Sequence, residues 1–234
     1  MPINQPPQNI IKAKGLKKVY KRGSEEVVAL WDTSLSISAG EFIIIMGPSG
    51  SGKSTLLHLL GGIDRPTQGD LIVNGVDLVN VSEAALTRFR RDNIGFVFQF
   101  YNLLPSLNAL DNVILPLLAK GKSWKASRER GMAMLDQVGL SHRRKHTPSQ
   151  LSGGEQQRVA IARAMVVEPC VILADEPTGD LDSASANSII ALMVELKERQ
   201  GVTFIVATHN PLLVQAATHT YELVDGRLSS ISDK

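Results

Sequence analysis

Apolar residues along this chain fall into short runs separated by glycine and by polar residues. Phe42-Ile43-Ile44-Ile45-Met46, Val171-Ile172-Leu173-Ala174 and Val202-Thr203-Phe204-Ile205-Val206-Ala207 are almost unbroken. Runs of that length predict strands buried on both faces. A fourth, residues 94–98, ends at Gln99. Between the runs the spacing becomes helical. Helices are predicted over residues 54–60, 82–91, 110–119, 127–138 and 155–167, and after Asp182, where Ile189, Leu192, Met193 and Leu196 share a face until Gly201. Ser82 and Asp182 read as N-caps, and Gly61-Gly62 as a helix stop. Residues 10–37 are β-rich, with strands expected over 27–31 and 35–37. Asn74-Gly75 and Asp225-Gly226 predict hairpins, the second at a sheet edge.

Strands alternating with helices place the chain in the α/β class. Residues 100–166 are the exception, since helical patterns follow one another there. The expected organisation is a flexible tail over 1–9 and one domain over 10–230, with a helical subdomain at about 100–166.

The stretch between the first buried strand and the first helix is Gly47-Pro48-Ser49-Gly50-Ser51-Gly52-Lys53-Ser54. It fits the phosphate-loop pattern without a mismatch, in the strand–loop–helix context the pattern needs. Glycines let the backbone curl so that several N–H groups face one phosphate, and the helix N-terminus adds its positive end. Lys53 is expected to reach the outer phosphates and the Ser54 hydroxyl to bind Mg²⁺.

Composition narrows the remaining classes. The 234 residues carry 25 basic and 23 acidic side chains, a formal charge of +2, so electrostatics give no case for nucleic acid. The lone cysteine, Cys170, excludes internal disulfides and a cysteine-rich metal site, suits a reducing compartment, and reads as a small buried residue. The polar, proline-rich N-terminus shows no secretory signal, and no apolar run approaches membrane-spanning length. A role in a membrane process therefore needs a second chain. Arg143, Arg144 and Lys145 read as a solvated face.

Three further stretches carry chemistry. Asp175 and Glu176 close an apolar strand, where the first acid can reach a Mg²⁺ shell and the second can orient or deprotonate a water. Leu151-Ser152-Gly153-Gly154-Glu155-Gln156-Gln157 opens a helix, with Ser152 as cap and two glycines that permit close approach. Tyr20, between lysines and just before a turn, is either a half-exposed strand tyrosine or a platform for a base.

Taken as an ordered set, these stretches resemble the nucleotide-binding subunits of ABC transporters over about residues 10–230. Gly47 to Ser54 is similar to the Walker A loop, 171–176 to the Walker B strand with its following glutamate, and 151–157 to the family signature. Gln99 matches the Q-loop, Gly179-Asp180-Leu181-Asp182 the D-loop, His209 the switch histidine, and Tyr20 the adenine-stacking aromatic. Residues 58–64, 98–105 and 175–182 look like the branch of lipoprotein-release, macrolide-exporter and cell-division ATPases. Asp180 stands where that branch commonly has Asn, and Asn210 where Asp is usual; the former adds negative charge near the expected dimer interface.

The resemblance implies a RecA-like P-loop NTPase core with an N-terminal antiparallel β-subdomain and a helical signature subdomain. It implies ATP and Mg²⁺ as cofactors. ATP binding would involve Tyr20, Gly47, Pro48, Ser49, Gly50, Ser51, Gly52, Lys53, Ser54 and Thr55. Mg²⁺ would lie at Ser54, Gln99 and Asp175, and the catalytic groups would be Glu176, His209 and Gln99. Ser152, Gly153 and Gly154 would contact ATP held by a second copy, or by a related ATPase, in a head-to-tail dimer with Asp182 in its D-loop. The implied partner is an integral membrane permease with a large extracytoplasmic domain, which would hold this chain peripherally at the cytoplasmic side of the plasma membrane.

A regulatory ATPase of the cell-division type, acting on a membrane partner without transport, is the alternative. A chromosome-organising ATPase would need a long coiled coil between Gln99 and Leu151, where only about fifty residues lie. A translation-factor relative would need two such domains. Phe100, Tyr101, Leu103, Leu104 and Leu107 either pack on the following helix or wall a groove for a short permease helix.

Overall fold

A computed structural model of the chain describes residues 9–23 and 25–233. The strands are β1 (Asn9–Arg22), β2 (Glu25–Ser38), β3 (Phe42–Met46), β4 (Gln68–Val73), β5 (Val76–Asp77), β6 (Ile94–Val97), β7 (Val171–Asp175), β8 (Thr203–Ala207), β9 (His219–Val224) and β10 (Arg227–Asp233). The α-helices are α1 (Lys53–Leu60), α2 (Glu83–Asn93), α3 (Ala109–Ala119), α4 (Trp124–Gln137), α5 (Gly153–Met165) and α6 (Ser183–Gln200).

The central sheet runs β10-β9-β3-β8-β7-β6, parallel except for β10 on β9. Its middle strands alternate between two cores, as strand geometry requires. Phe42, Ile44, Ile172, Ala174, Phe204 and Val206 face the core shared with α3 to α6. Ile43, Ile45, Val171, Leu173, Ile205 and Ala207 face the core shared with α1, α2 and the second sheet. Burial on both faces is why these strands read as unbroken apolar runs. The second sheet is antiparallel, in the order β2-β1-β4-β5.

Several boundaries differ from the sequence reading. Residues 27–31 and 35–37 belong to one strand, because Asp32 takes φ 52° and lets β2 continue through the polar step. Helix α4 starts at Trp124, capped by the Ser123 side chain, where apolar periodicity is silent. Helix α5 starts at Gly153, directly after its cap. Of the expected tail, residues 1–8 lie outside the described residues and Asn9 already opens β1.

The register of the central sheet sets up the site. Ile45 of β3 and Asp175 of β7 both pair with Ala207 of β8. The phosphate loop, the Asp175-Glu176 pair and Thr208-His209 therefore leave the sheet side by side at its carboxyl edge, where ligands of open α/β sheets bind.

Candidate functional site

The loop over residues 47–54 requires its glycines. A Cβ on Gly47 would sit 2.1 Å from the Leu223 carbonyl oxygen, and one on Gly52 2.4 Å from that of Ala29. Helix α1 then begins with no side-chain cap and no acid in its first turn. Its leading N–H groups are thus left for an anion, which suits phosphate. Lys53 is nearly buried, and its Nζ donates to the carbonyls of Gly47 (2.7 Å) and Pro48 (3.1 Å). Ser51 Oγ is buried without a partner.

Ser54, Gln99, Asp175 and Glu176 line one cleft of about 250 Å³, together with Phe98, Phe100 and Asn102. Among the described residues no three His, Cys, Asp or Glu side chains form a metal cluster. A hydroxyl, an amide and one or two carboxylates fit Mg²⁺, which keeps waters and takes phosphate oxygens as further ligands. Gln99 Nε2 donates to Asp180 Oδ1 at 3.1 Å, tying the two loops together.

Glu176 is the most constrained side chain of the group. Its backbone takes φ 46°, a left-handed conformation costing on the order of 1–3 kcal/mol for a non-glycine residue. Its Oε2 accepts from the Thr208 hydroxyl at 3.1 Å and from the His209 backbone N–H at 3.3 Å. His209 Nδ1 lies 2.9 Å from Oε1, and Lys53 Nζ 3.9 Å from the same oxygen. The turn after Glu176 is anchored by Asn210, whose Nδ2 donates to Thr178 Oγ1 at 3.2 Å. Asn210 fills that role as a donor, which Asp does not.

Tyr20 lies 38% exposed on β1. Its hydroxyl donates to Asp64 Oδ2 at 2.9 Å, and Thr55 also reaches the phenol. Burial and the bond to Asp64 push the phenol above its ordinary value. Lys18 donates to Asp64 Oδ1 at 2.6 Å and stands 4.8 Å from the Tyr20 ring centroid. Burial alone would raise the Asp64 carboxyl, but bonds from Lys18, the Arg65 N–H and Tyr20 hold it below the usual range.

None of Tyr20, Ser152, Gly153, Gly154 and Asp182 lines the 250 Å³ cleft. Ser152 caps α5 in a reciprocal capping box with Glu155, and Asp182 caps α6 through Ser185. A Cβ on Gly153 would meet the Tyr101 hydroxyl at 2.9 Å, so the loop after Gln99 leans on the signature. The solvated face expected over Arg143 to Lys145 holds for the exposed Arg144 and Lys145 only. Arg143 Nε donates to Glu155 Oε1 at 2.9 Å, because Glu155 is fixed by its cap and offers a free lone pair. The 100–107 stretch is divided: Phe100 and Leu104 are exposed, while Tyr101, Leu103 and Leu107 are half-buried. Fully buried Asn112 holds the loop, accepting from Leu104 N–H and donating to the carbonyls of Leu104, Leu107 and Asn108. Cys170 is half-buried, with burial pushing its thiol up to about 11.

Sequence reasoning missed Asp64, Thr208 and Asn112, and gave Gln157 no role beyond its place in the 151–157 stretch. Gln157 carried a signal, being a glutamine in line with the buried Ala160, Ile161 and Ala164 of α5. The others are joined to the site only by the fold.

The model of the ABC transporter family matches residues 30–179. Among solved structures, MJ0796, described as a bacterial ABC transporter cassette and solved as a dimer, is 43% identical with a TM-score of 0.87, over 96% of this chain and 100% of that one. Another dimeric structure of MJ0796, in a post-hydrolysis state bound to ADP and Pi, is 42% identical with a TM-score of 0.87, over 96% and 100% of the two chains. The protein cbiO1 of Clostridium perfringens, part of the ABC transporter complex cbiONQ, is 29% identical over 94% of this chain and 87% of its own, with a TM-score of 0.85.

Proposed function

Since this chain belongs to the ABC transporter family of ATP-binding cassettes and is an ATPase, we propose that it powers a separate integral membrane permease by nucleotide-driven closure of a homodimer. The observation that carries the reading is Glu176, fixed by Thr208 and His209 beside Lys53 at the mouth of the phosphate loop.

In this reading ATP stacks its base on Tyr20 and lays its phosphates on the backbone of residues 47–55. Lys53 exchanges the Gly47 and Pro48 carbonyls for phosphate oxygens. Ser54, Asp175 and Gln99 would hold Mg²⁺, which would supply neutralisation of phosphate charge. Glu176 accepts the proton of the attacking water, and His209, on the same carboxylate, orients it. ATP and water become ADP and phosphate. Ser152, Gly153 and Gly154 of one subunit contact the nucleotide held by the other, so neither copy completes a site alone. Loss of the outer phosphate removes the contacts that favour closure.

The finer branch, with a permease carrying a large extracytoplasmic domain, is proposed from residues 58–64, 98–105 and 175–182. Among the described residues no helix is long and apolar enough to cross a membrane. The proposed location is the cytoplasmic side of the plasma membrane, held by the permease. The proposed docking surface comprises the exposed Phe100 and Leu104, on the same loop as Asn102, which lines an apolar groove of about 380 Å³ with Phe96, Phe98, Pro116 and Ala119.

Affinity purification of the chain from its own detergent-solubilised membranes tests this. A co-purifying membrane protein with a large external domain, which raises ATP turnover on reconstitution, is expected. Recovery of an active ATPase with no membrane protein contradicts the reading.

A further inference from the structure

Gln157 lies on α5, beyond the Ser152 cap, and is fully buried. Its Nε2 donates to the Pro177 carbonyl at 2.6 Å, while its Oε1 has no partner. A buried amide with one half unsatisfied is costly, and an apolar side chain of similar shape would fill the same space. What an apolar side chain lacks is the donor, and the donor is spent on the Pro177–Thr178 peptide, one residue beyond Glu176.

That peptide belongs to the turn that aims the Glu176 carboxylate. Glu176 N–H donates to the Ala207 carbonyl at 2.8 Å, and Gly179 N–H to the Glu176 carbonyl at 3.1 Å. Asn210 holds Thr178 from the β8 side. Gln157 holds Pro177 from α5, the helix that begins with the signature glycines.

We propose that Gln157 is a positioning residue for Glu176, fixing from α5 the turn on which the base is mounted. The inference rests on the reading of Glu176 as base and of α5 as the helix that grips the second subunit's nucleotide. One side chain then ties the grip on the partner's ATP to the aim of the subunit's own base. A shift of α5 on closure is passed to Pro177 through a single hydrogen bond, so each base responds to the nucleotide across the dimer.

The test is steady-state ATP hydrolysis by the full chain between about pH 6 and pH 9, for wild type, Gln157→Leu, Gln157→Glu and Glu176→Gln. Gln157→Leu keeps the shape and loses the donor. Its kcat should fall about 10- to 100-fold, the scale of an ångström-level misplacement, with KM and Tm close to wild type. In Gln157→Glu the protonated carboxyl still donates to Pro177 and the ionised one does not. Its kcat, relative to wild type, should be highest at the acid end and fall as pH rises. A merely structural glutamine would lower Tm and ATP affinity and leave that ratio flat. Wild-type kcat in Gln157→Leu, or a loss no larger than its loss of folded protein, overturns the proposal. Should that variant not fold, a pH-independent ratio in Gln157→Glu overturns it. Full turnover in Glu176→Gln overturns both the proposal and the base assignment beneath it, whereas an inactive Glu176→Gln beside a fully active Gln157→Leu overturns the proposal alone.

Discussion

The ammonium of Lys53 stands 3.9 Å from Oε1 of Glu176, with both side chains mostly buried. Its stronger partners are the carbonyls of Gly47 and Pro48, at 2.7 and 3.1 Å. The cation is therefore already desolvated, and phosphate oxygens have only carbonyls to displace. Lys53→Ala should weaken ATP binding at least about 30-fold, the lower end for losing one partner of a buried charged contact. Circular dichroism should show the fold intact. Near wild-type affinity by titration calorimetry would overturn the role of Lys53.

Tyr20 and Asp64 make a second testable pair. Tyr20→Ala should weaken ATP binding by about 1–3 kcal/mol with little change in kcat, the range for a base stacked on an aromatic ring. Tyr20→Phe keeps the ring and should retain most of the affinity. Unchanged affinity with a lowered Tm in Tyr20→Ala would mark Tyr20 as a strand residue only. The Asp64 carboxyl is held below its usual range, so its contribution to stability is present above the unfolded pKa and lost as pH falls through the folded one. The stability advantage of wild type over Asp64→Asn should therefore shrink below about pH 4. An advantage that is constant from pH 7 to about pH 3 would contradict this sign.

The loop after Gln99 separates docking from folding. Leu104 is 48% exposed, and Leu104→Asp should leave Tm and ATP binding unchanged while abolishing recovery of the membrane partner. Asn112 is fully buried and bonded to four backbone groups of the loop. The Leu104 and Asn108 carbonyls also accept from the Leu107 and Asn112 N–H groups, so Asn112→Ala strands the Leu104 N–H and the Leu107 carbonyl, at about 1–3 kcal/mol for a buried group, and should lower Tm by several degrees. A Leu104→Asp chain that still binds the partner moves the docking surface elsewhere.

Strands β3, β7 and β8 were readable because burial on both faces leaves them almost wholly apolar, with Thr203 at the start of β8 and Asp175 at the end of β7 as the polar positions. The phosphate loop was readable because close approach to the backbone demands glycine at Gly47 and Gly52. Strand β2 was read as two because Asp32, Thr33 and Ser34 interrupt its apolar pattern; yet Thr33 is buried and its hydroxyl donates to the Gly226 carbonyl at 3.3 Å. Hydrogen bonds such as Tyr20 to Asp64 and Gln157 to Pro177 join residues 44 and 20 positions apart. Local periodicity carries no record of such pairs. Helix α4 was read only from residue 127 because Trp124-Lys125-Ala126 adds no apolar repeat to mark its first turn, which the Ser123 side chain caps.

The central claim is that Glu176 removes the proton of the attacking water in a site closed by a second copy of the chain. Glu176→Gln retains the shape of the side chain and loses the base. The direct measurement is size-exclusion chromatography of this variant with and without Mg-ATP, paired with phosphate release. The account predicts turnover about 10²–10⁴-fold below wild type and a shift from monomer to a stable dimer that appears only with Mg-ATP. Wild-type turnover, or a variant that binds Mg-ATP yet stays monomeric, would contradict it.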